Sequence, residues 1–333
     1  MDRTEDELIA AIRKVIAGDD PGVAVGVGDD AAVVDPGRNH TVLTADVLVE
    51  GVHFDLETMA PHDLGYKALV VNLSDVAAMG GSPRYALVSL VLPPAVEPPW
   101  VMELYGGIRE AADEHGTTVV GGDLSRGERV VVAVALAGSV GKDRAVVRSG
   151  ARPGDVLAVT GTLGGAAGGL RLSQAPPHGV RGPLASDWGR ALVAAYLRPA
   201  ARVGEGETLA HAGATAMMDL SDGLALDLSR MCAESGVGAR VRLHDVPVAP
   251  GLEPLAGELG IEPVDLALHG GEDYELLVAL PQEIVASVTE KIDERFGTRL
   301  TTIGEMVEDP GIVVVAADGT ERPLPPRGWD HFA

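Results

Sequence analysis

Hydrophobic and polar positions along the 333-residue chain follow two different periods. In MDRTEDELIAAIRKVI, Leu8, Ile9, Ile12, Val15 and Ile16 recur at helical intervals and predict an amphipathic helix. TVLTADVLVE (41–50) reads as a strand with Asp46 in its second half. DLGYKALVVNLSDVAAMGG (63–81) predicts a helix stopped by Gly80 and Gly81. The strand YALVSLVLP follows, then a proline-rich turn and a second helix, WVMELYGGIREAADEHG. TTVVGGD (117–123) predicts a buried strand ending in two glycines and a carboxylate, and ERVVVAVALAGSV a further strand.

The character changes at RSGARPGD (148–155), where a turn opens the strand VLAVTG, so the chain divides into domains 1–148 and 149–333. TAMMDLSDGLALDLSRMCAESG (215–236) reads as a strand running into a helix, and GGEDYELLVAL (270–280) as a loop running into a strand. Alternating elements of this kind predict an α/β or α+β architecture in both halves. NLSDVAAMG (72–80) and DLSDGLALD (219–227) share Leu-Ser-Asp ahead of an apolar segment, a weak internal echo that places carboxylates in comparable positions in both halves.

Composition narrows the function. The formal charge of −23 argues against non-specific binding to nucleic acid or to an anionic membrane surface, both of which rest on clustered basic charge. VVVAVALAG at 130–138 is the longest apolar run and is too short to span a bilayer. The N-terminal stretch lacks the basic start and apolar block of a signal peptide, so a cytoplasmic protein is expected. Cys232 is the sole cysteine, which excludes an internal disulfide and any multi-cysteine metal site. With 43 glycines and 22 prolines the chain is rich in tight turns.

The candidate chemistry lies in carboxylates at strand ends and helix starts: Asp29, Asp30, Asp46, Asp75, Asp123, Asp219 and Asp222. GVGDDAAVV sets Asp29 beside Asp30, and two like charges in close quarters repel unless a cation shares the site. On that stretch alone a solvated Gly-Asp turn is the simpler account. A single such Asp is usually a helix cap, and Asp222 in DLSDG reads equally as one. Seven in apolar surroundings suggest hard-cation ligands, Mg²⁺ or Ca²⁺ rather than zinc. The Ca²⁺-loop pattern is absent, and Mg²⁺ completes its coordination with water and phosphate oxygens, so several dispersed carboxylates imply several ions and a phosphorylated ligand. No P-loop appears, since the one Gly-Lys pair, Gly141-Lys142, is followed by Asp143. TGTLGGAAGGL (160–170) lacks the spacing of a dinucleotide loop and reads as a turn with a close helix contact.

GVGDDAAVV, TADVLVEGVHF, YKALVVNLSDVAAMGGSP, GGDLSRG, RSGARPGD, MMDLSDGLALDL, GGEDYELL and GWDHF, in this order, resemble the thiamine-monophosphate kinase family. Its superfamily also holds aminoimidazole ribonucleotide synthetase, selenophosphate synthetase and a hydrogenase-maturation protein. The resemblance implies a two-domain α/β (α+β) fold. Its N-terminal mixed sheet would dimerise, giving a homodimer, and its C-terminal α/β domain would close an ATP cleft. It further implies transfer of the γ-phosphoryl group of ATP to thiamine monophosphate.

Carried over residue by residue, Asp30, Asp46, Asp75, Asp123, Asp219 and Asp222 would hold several Mg²⁺ ions, helped by backbone oxygens at Thr44 and Ala45. Many relatives have Ser or Thr at position 45, so only a side-chain role is in doubt there. Tyr105, Gly122, Asp123, Arg148 and Ser221 would hold the nucleotide, and His53, Glu272 and Trp329 thiamine monophosphate. The reactive Cys of the selenium and hydrogenase members is missing. Aminoimidazole ribonucleotide synthetase activity, or a non-catalytic Mg²⁺-nucleotide-binding module, remains the alternative.

Overall fold

The computed structural model describes residues 23–25, 29, 32–34, 39–174 and 186–332; the amphipathic segment at 8–16 and Asp30 lie outside these. The first half forms one mixed sheet from β1 (Val23–Val25), β2 (Ala32–Val34), β3 (Asn39–Val49), β4 (Ser82–Leu92), β5 (Thr118–Arg126) and β6 (Val131–Gly141). Their order is β1-β2-β3-β6-β4-β5. β3 and β6 pair antiparallel from Asn39 opposite Gly141 to Val49 opposite Val131, whereas β4 and β5 are parallel. Helices α1 (Pro61–Ala78) and α2 (Pro98–Glu114) cover one face, burying Leu64, Leu69, Leu73, Leu104 and Ile108 with Val42, Val88, Leu90 and Val134 of the strands.

The second half folds around β7 (Val156–Thr160), β8 (Ala216–Asp219), β9 (Gly238–Arg242), β10 (Leu276–Leu280), β11 (Leu300–Val307), β12 (Gly311–Val315) and β13 (Glu321–Pro323). Their order is β13-β12-β9-β11-β7-β10-β8. Its helices are α3 (Gly165–Gln174), α4 (Asp187–Leu197), α5 (Val203–Ala212), α6 (Leu224–Ser235), α7 (Leu252–Leu259), α8 (Pro263–His269) and α9 (Val285–Phe296). β7, β8 and β10 are buried at every residue, as strands covered on both faces must be. The result is the mixed α/β architecture that the alternation of elements predicts.

α1 joins the halves. Pro61 occupies its first turn, where no N–H is needed, and Gly80, at φ 66°, ends it with its N–H on the Ala77 carbonyl. Every residue from Leu64 to Ser74 is buried. Its sheet-facing residues pack in the first-half core, while Ala77 and Ala78 pack with Met217, Leu276 and Val278 of the second-half sheet.

β5 departs from the sequence expectation. The strand expected over 117–123 runs instead from Thr118 to Arg126 and is exposed at every residue but Val119. Among the described residues it is an edge strand paired with β4 only, and none of them covers the face of this sheet opposite α1. That open face carries Leu43, Val47, Tyr85 and Leu87, each more than 40% exposed.

α1 and α2 touch through glycine: a Cβ on Gly107 would lie 1.8 Å from the His62 carbonyl oxygen, and one on Gly65 1.9 Å from that of Leu104. Gly107→Ala is therefore expected to destabilise the protein by about 3 kcal/mol in urea unfolding. Gly257→Ala, with no atom within 4 Å of the new methyl group, should be neutral or stabilise by up to about 1 kcal/mol.

Candidate active site

Polar side chains on the buried α1 gather the carboxylates of both halves. Thr44 of β3 donates its hydroxyl to Asp75 Oδ2, and the backbone N–H of Asp46 donates to Asn72 Oδ1 at 3.1 Å. One residue along the helix from Asp75, the Ser74 hydroxyl donates to Asp219 Oδ2 at 2.6 Å, across to the end of β8. The two Leu-Ser-Asp echoes therefore meet in space. They are not a structural repeat, because Ser74-Asp75 sit inside a helix and Ser221-Asp222 in the loop between β8 and α6. Over this group lies the buried phenol of Tyr274, whose pKa is raised by burial and by the charges of Glu272, Asp46, Asp219 and Asp222. Burying several carboxylates around one point is costly unless cations or donors meet them.

The loop carrying Ser221 and Asp222 is held by other acids than the sequence suggests. Neither residue caps α6, whose N-cap is Gly223 with no side-chain hydrogen bond. Instead Asp227, inside the first turn of α6, accepts the N–H groups of Asp222 and Gly223 at 2.9 and 3.1 Å. Arg230 pairs with both Asp222 and Asp227. Burial and the neighbouring Asp222 push the Asp227 carboxyl up to about 7, against the pull of Arg230. The Ser221 carbonyl accepts the N–H of Glu272 at 2.7 Å, and the Asp222 carbonyl that of Trp329 at 3.1 Å. One short loop thereby positions both Glu272 and the C-terminal segment.

At the N-terminal half of α1 the three expected substrate residues come together. Glu272 and Tyr274 adopt left-handed backbone (φ 67° and 51°), uncommon for residues with side chains and costly without support. Asp273 between them supplies it, its carboxylate accepting Gly164 N–H at 2.6 Å and Ala166 N–H at 3.3 Å where α3 begins. Burial pushes the Asp273 carboxyl up to about 8, against these donors. Glu272 Oε1 pairs at 3.0 Å with Lys67, which is only 1% exposed. Trp329 packs edge-on against His331 with centroids 5.6 Å apart, and His331 lies 4.9 Å from the His53 ring. His53 also feels the charges of Glu272 and Lys67. The N–H of Val49 donates to its Nδ1 at 3.0 Å, which leaves the proton of the neutral ring on Nε2.

The expected nucleotide residues are more dispersed. Arg148 meets Asp29, which accepts its backbone N–H at 3.1 Å and lies 3.9 Å from its Nε. A guanidinium is thus one cation beside Asp29. Gly122 and Asp123 are not brought to the carboxylates of the same chain. Asp46 pairs with Val134, Val134 with Val88, and Val88 with Gly122, so three strand spacings, about 14 Å, separate Asp46 from Gly122. A Cβ on Gly122 would lie 1.7 Å from the Val88 carbonyl oxygen, so strand pairing alone demands glycine there. Tyr105 lies on α2, half-buried, with its pKa raised by that burial. Ala45 is exposed on the open sheet face, away from Asp75.

Among the described residues no three Asp, Glu, His or Cys side chains form a cage for a metal ion. Thr44, Asp46, Asp75, Asp219 and Asp222 nevertheless supply oxygen donors only. That donor set suits Mg²⁺, which takes one or two carboxylates and fills its remaining positions from phosphates and water. A hollow of about 550 Å³ lined by Gly161, Arg202, Phe296 and Arg299 contains none of the expected site residues.

This two-domain scaffold, with acidic groups gathered on a shared helix, has known counterparts. The model of AIR synthase related protein, N-terminal domain, matches residues 28–140, and that of its C-terminal domain residues 152–317. The protein is an AIR synthase-related protein in both halves. It is 37% identical over 308 residues, 92% of each chain, to thiamine-monophosphate kinase of Aquifex aeolicus. It is 36% identical to that of Escherichia coli K12, over 93% of each chain. A solved structure, AaThiL complexed with AMPPCP and TMP, superposes with a TM-score of 0.85 at 35% identity, covering 99% of this chain and 97% of that one. The chain belongs to the thiamine-monophosphate kinase family.

Sequence reasoning missed Lys67, Asn72, Ser74, Tyr274 and His331. Lys67 carried a signal, being a lone cation inside the apolar run YKALVV, and His331 stands two residues beyond Trp329 in GWDHF.

Burial and the charge of His331 lower the pKa of His53 below 6.5. In an NMR titration the resonance lost in His53→Gln should show a midpoint below 6.5, with the ring neutral at pH 7. Because the folded state binds this proton less tightly than the unfolded chain, the group's contribution to stability is present above pH 6.5. It is lost as pH falls through the folded-state pKa.

Proposed function

We propose that this protein phosphorylates thiamine monophosphate, using ATP and giving thiamine diphosphate and ADP. An oxygen of the substrate phosphate attacks the γ-phosphorus. The bond to the β–γ bridging oxygen breaks, and its electron pair leaves with ADP. The observation that carries this reading is the shared helix α1. At one end it gathers Asp46, Asp75 and Asp219 from both halves, and at the other it places Glu272 beside His53 and the Trp329 segment. The names of the relatives and the AMPPCP and TMP of the solved structure support the same donor and acceptor.

The attacking group is itself a phosphate and needs little activation, so the protein's work is to position two anions and offset their charge. Asp30, Thr44, Ala45, Asp46, Asp75, Asp123, Asp219 and Asp222 are proposed to hold Mg²⁺. When bound, the metal supplies neutralisation of the charge that develops on the phosphates. Tyr105, Gly122, Asp123, Arg148 and Ser221 are proposed for the nucleotide, with Arg148 a fork-shaped donor to its phosphates. His53, Glu272 and Trp329 are proposed for thiamine monophosphate, the indole face meeting the cationic thiazolium ring. Domains 1–148 and 149–333 would close on the two substrates from either side.

We also propose a homodimer through the six-stranded sheet. Its open face exposes Leu43, Val47, Tyr85 and Leu87 together, and exposed apolar patches of this kind mark interfaces. The separation of Asp123 from Asp46 within one chain is resolved if a second copy laid on this face supplies Asp123 to the cleft.

With ATP, Mg²⁺ and thiamine monophosphate the purified protein should form thiamine diphosphate, and none from free thiamine or without Mg²⁺. Formation of ADP only with an aminoimidazole precursor, or ATP binding without consumption, would reject the reading. Asp75→Asn should lower kcat more than about 10³-fold at unchanged melting temperature. Light scattering should give twice the 34.3 kDa of one chain, and Leu87→Asp should return the protein to a monomer.

A further inference from the structure

Lys67 is a fully buried ammonium whose protons are all directed. It pairs with Glu272 Oε1 at 3.0 Å, donates to the Tyr196 carbonyl at 3.0 Å, and stands over the Tyr196 ring 4.0 Å from its centroid. Lys67 on α1 thereby ties its own helix to two further segments, the end of α4 and the loop carrying Glu272. The cost of burying the charge is offset only while all three stay in place. Glu272 is held in turn at φ 67°, and its side chain is 25% exposed. Its Oε2 has no hydrogen-bond partner among the described residues, while Oε1 is fixed by Lys67. One carboxylate oxygen is thus immobilised and the other left to accept from a ligand beside His53.

Resting on the kinase reading above, we propose that Lys67 is the positioning residue of the thiamine-monophosphate pocket. By clamping Oε1 it sets the rotamer of Glu272 and aims Oε2 at the substrate. By partly offsetting the carboxylate charge it makes Glu272 a directed acceptor rather than a loose anion. The same contacts hold the second half against α1, so pocket shape and domain position are set by one ammonium. Among the described residues Lys67 pairs with Glu272 and Tyr196 and with none of the residues proposed for nucleotide or metal, so its effect falls on one substrate.

The test compares Lys67→Met, Glu272→Gln and the double variant with the wild type, reading melting temperature and the KM of each substrate. Lys67→Met should raise KM for thiamine monophosphate at least tenfold, leave KM for ATP within twofold, and lower the melting temperature because Glu272 is left buried without its cation. In the double variant the melting temperature should recover towards wild type. Its KM for thiamine monophosphate should stay at the level of Glu272→Gln alone, showing that the two residues act as one unit. An unchanged KM in folded Lys67→Met, equal rises in both KM values, or a recovery of KM together with stability would overturn the proposal. Absence of turnover in the wild type would instead reject the kinase reading and this proposal with it.

Discussion

Everything in this fold depends on one buried helix being shared by two sheets. α1 packs its apolar residues against the first-half sheet and, at its C-terminal end, against β8 and β10 of the second. A helix in that position has no solvent-facing side on which to shed polar groups, so each one it carries must be satisfied within the protein. Lys67 finds Glu272 and Tyr196, Asn72 meets Asp46, Ser74 meets Asp219, and Asp75 accepts from Thr44. The obligation to satisfy these groups draws loops of both halves onto one line. Domain position and site geometry are consequences of the same hydrogen bonds.

The strain in the site follows from that arrangement. Glu272 and Tyr274 hold left-handed backbone because Asp273 between them is tied to the start of α3 and because their N–H groups bond to the Ser221 and Leu220 carbonyls. A loop fixed from both sides presents its side chains in one direction, the preorganisation that phosphoryl transfer by positioning requires. The −23 charge sharpens the need for cations at this point. Arg148, Arg230 and Lys67 already meet some of the acids from within the chain.

Much of the architecture was legible in the chain itself. The helix over 63–81 was bounded by its glycines, and β7, β8 and β10 were marked by continuous apolar runs, because burial on both faces leaves little other composition open to them. The carboxylates near α1 were found as a class, since acids among small apolar residues are hard to explain otherwise. Fine placement was not legible. Hydrophobic TTVVGG reads as buried, yet β5 lies at the edge of its sheet, because sequence alone does not distinguish a central strand from an edge strand. Asp222 reads as a cap, but Asp227 supplies those contacts from inside the helix. Lys67 and Glu272 are 205 positions apart in the chain, and no local pattern joins them.

The central claim is that carboxylates from both halves meet over α1 to receive metal and phosphate together. A crystal structure with Mn²⁺ in place of Mg²⁺, a non-hydrolysable ATP analogue and thiamine monophosphate tests it directly, because manganese is located by its own anomalous scattering. The account predicts manganese ligated by carboxylates of the first half, Asp46 or Asp75, and of the second, Asp219 or Asp222, with analogue phosphates completing the coordination. Manganese bound by one half alone, or nucleotide phosphates lodged away from these residues, would contradict it.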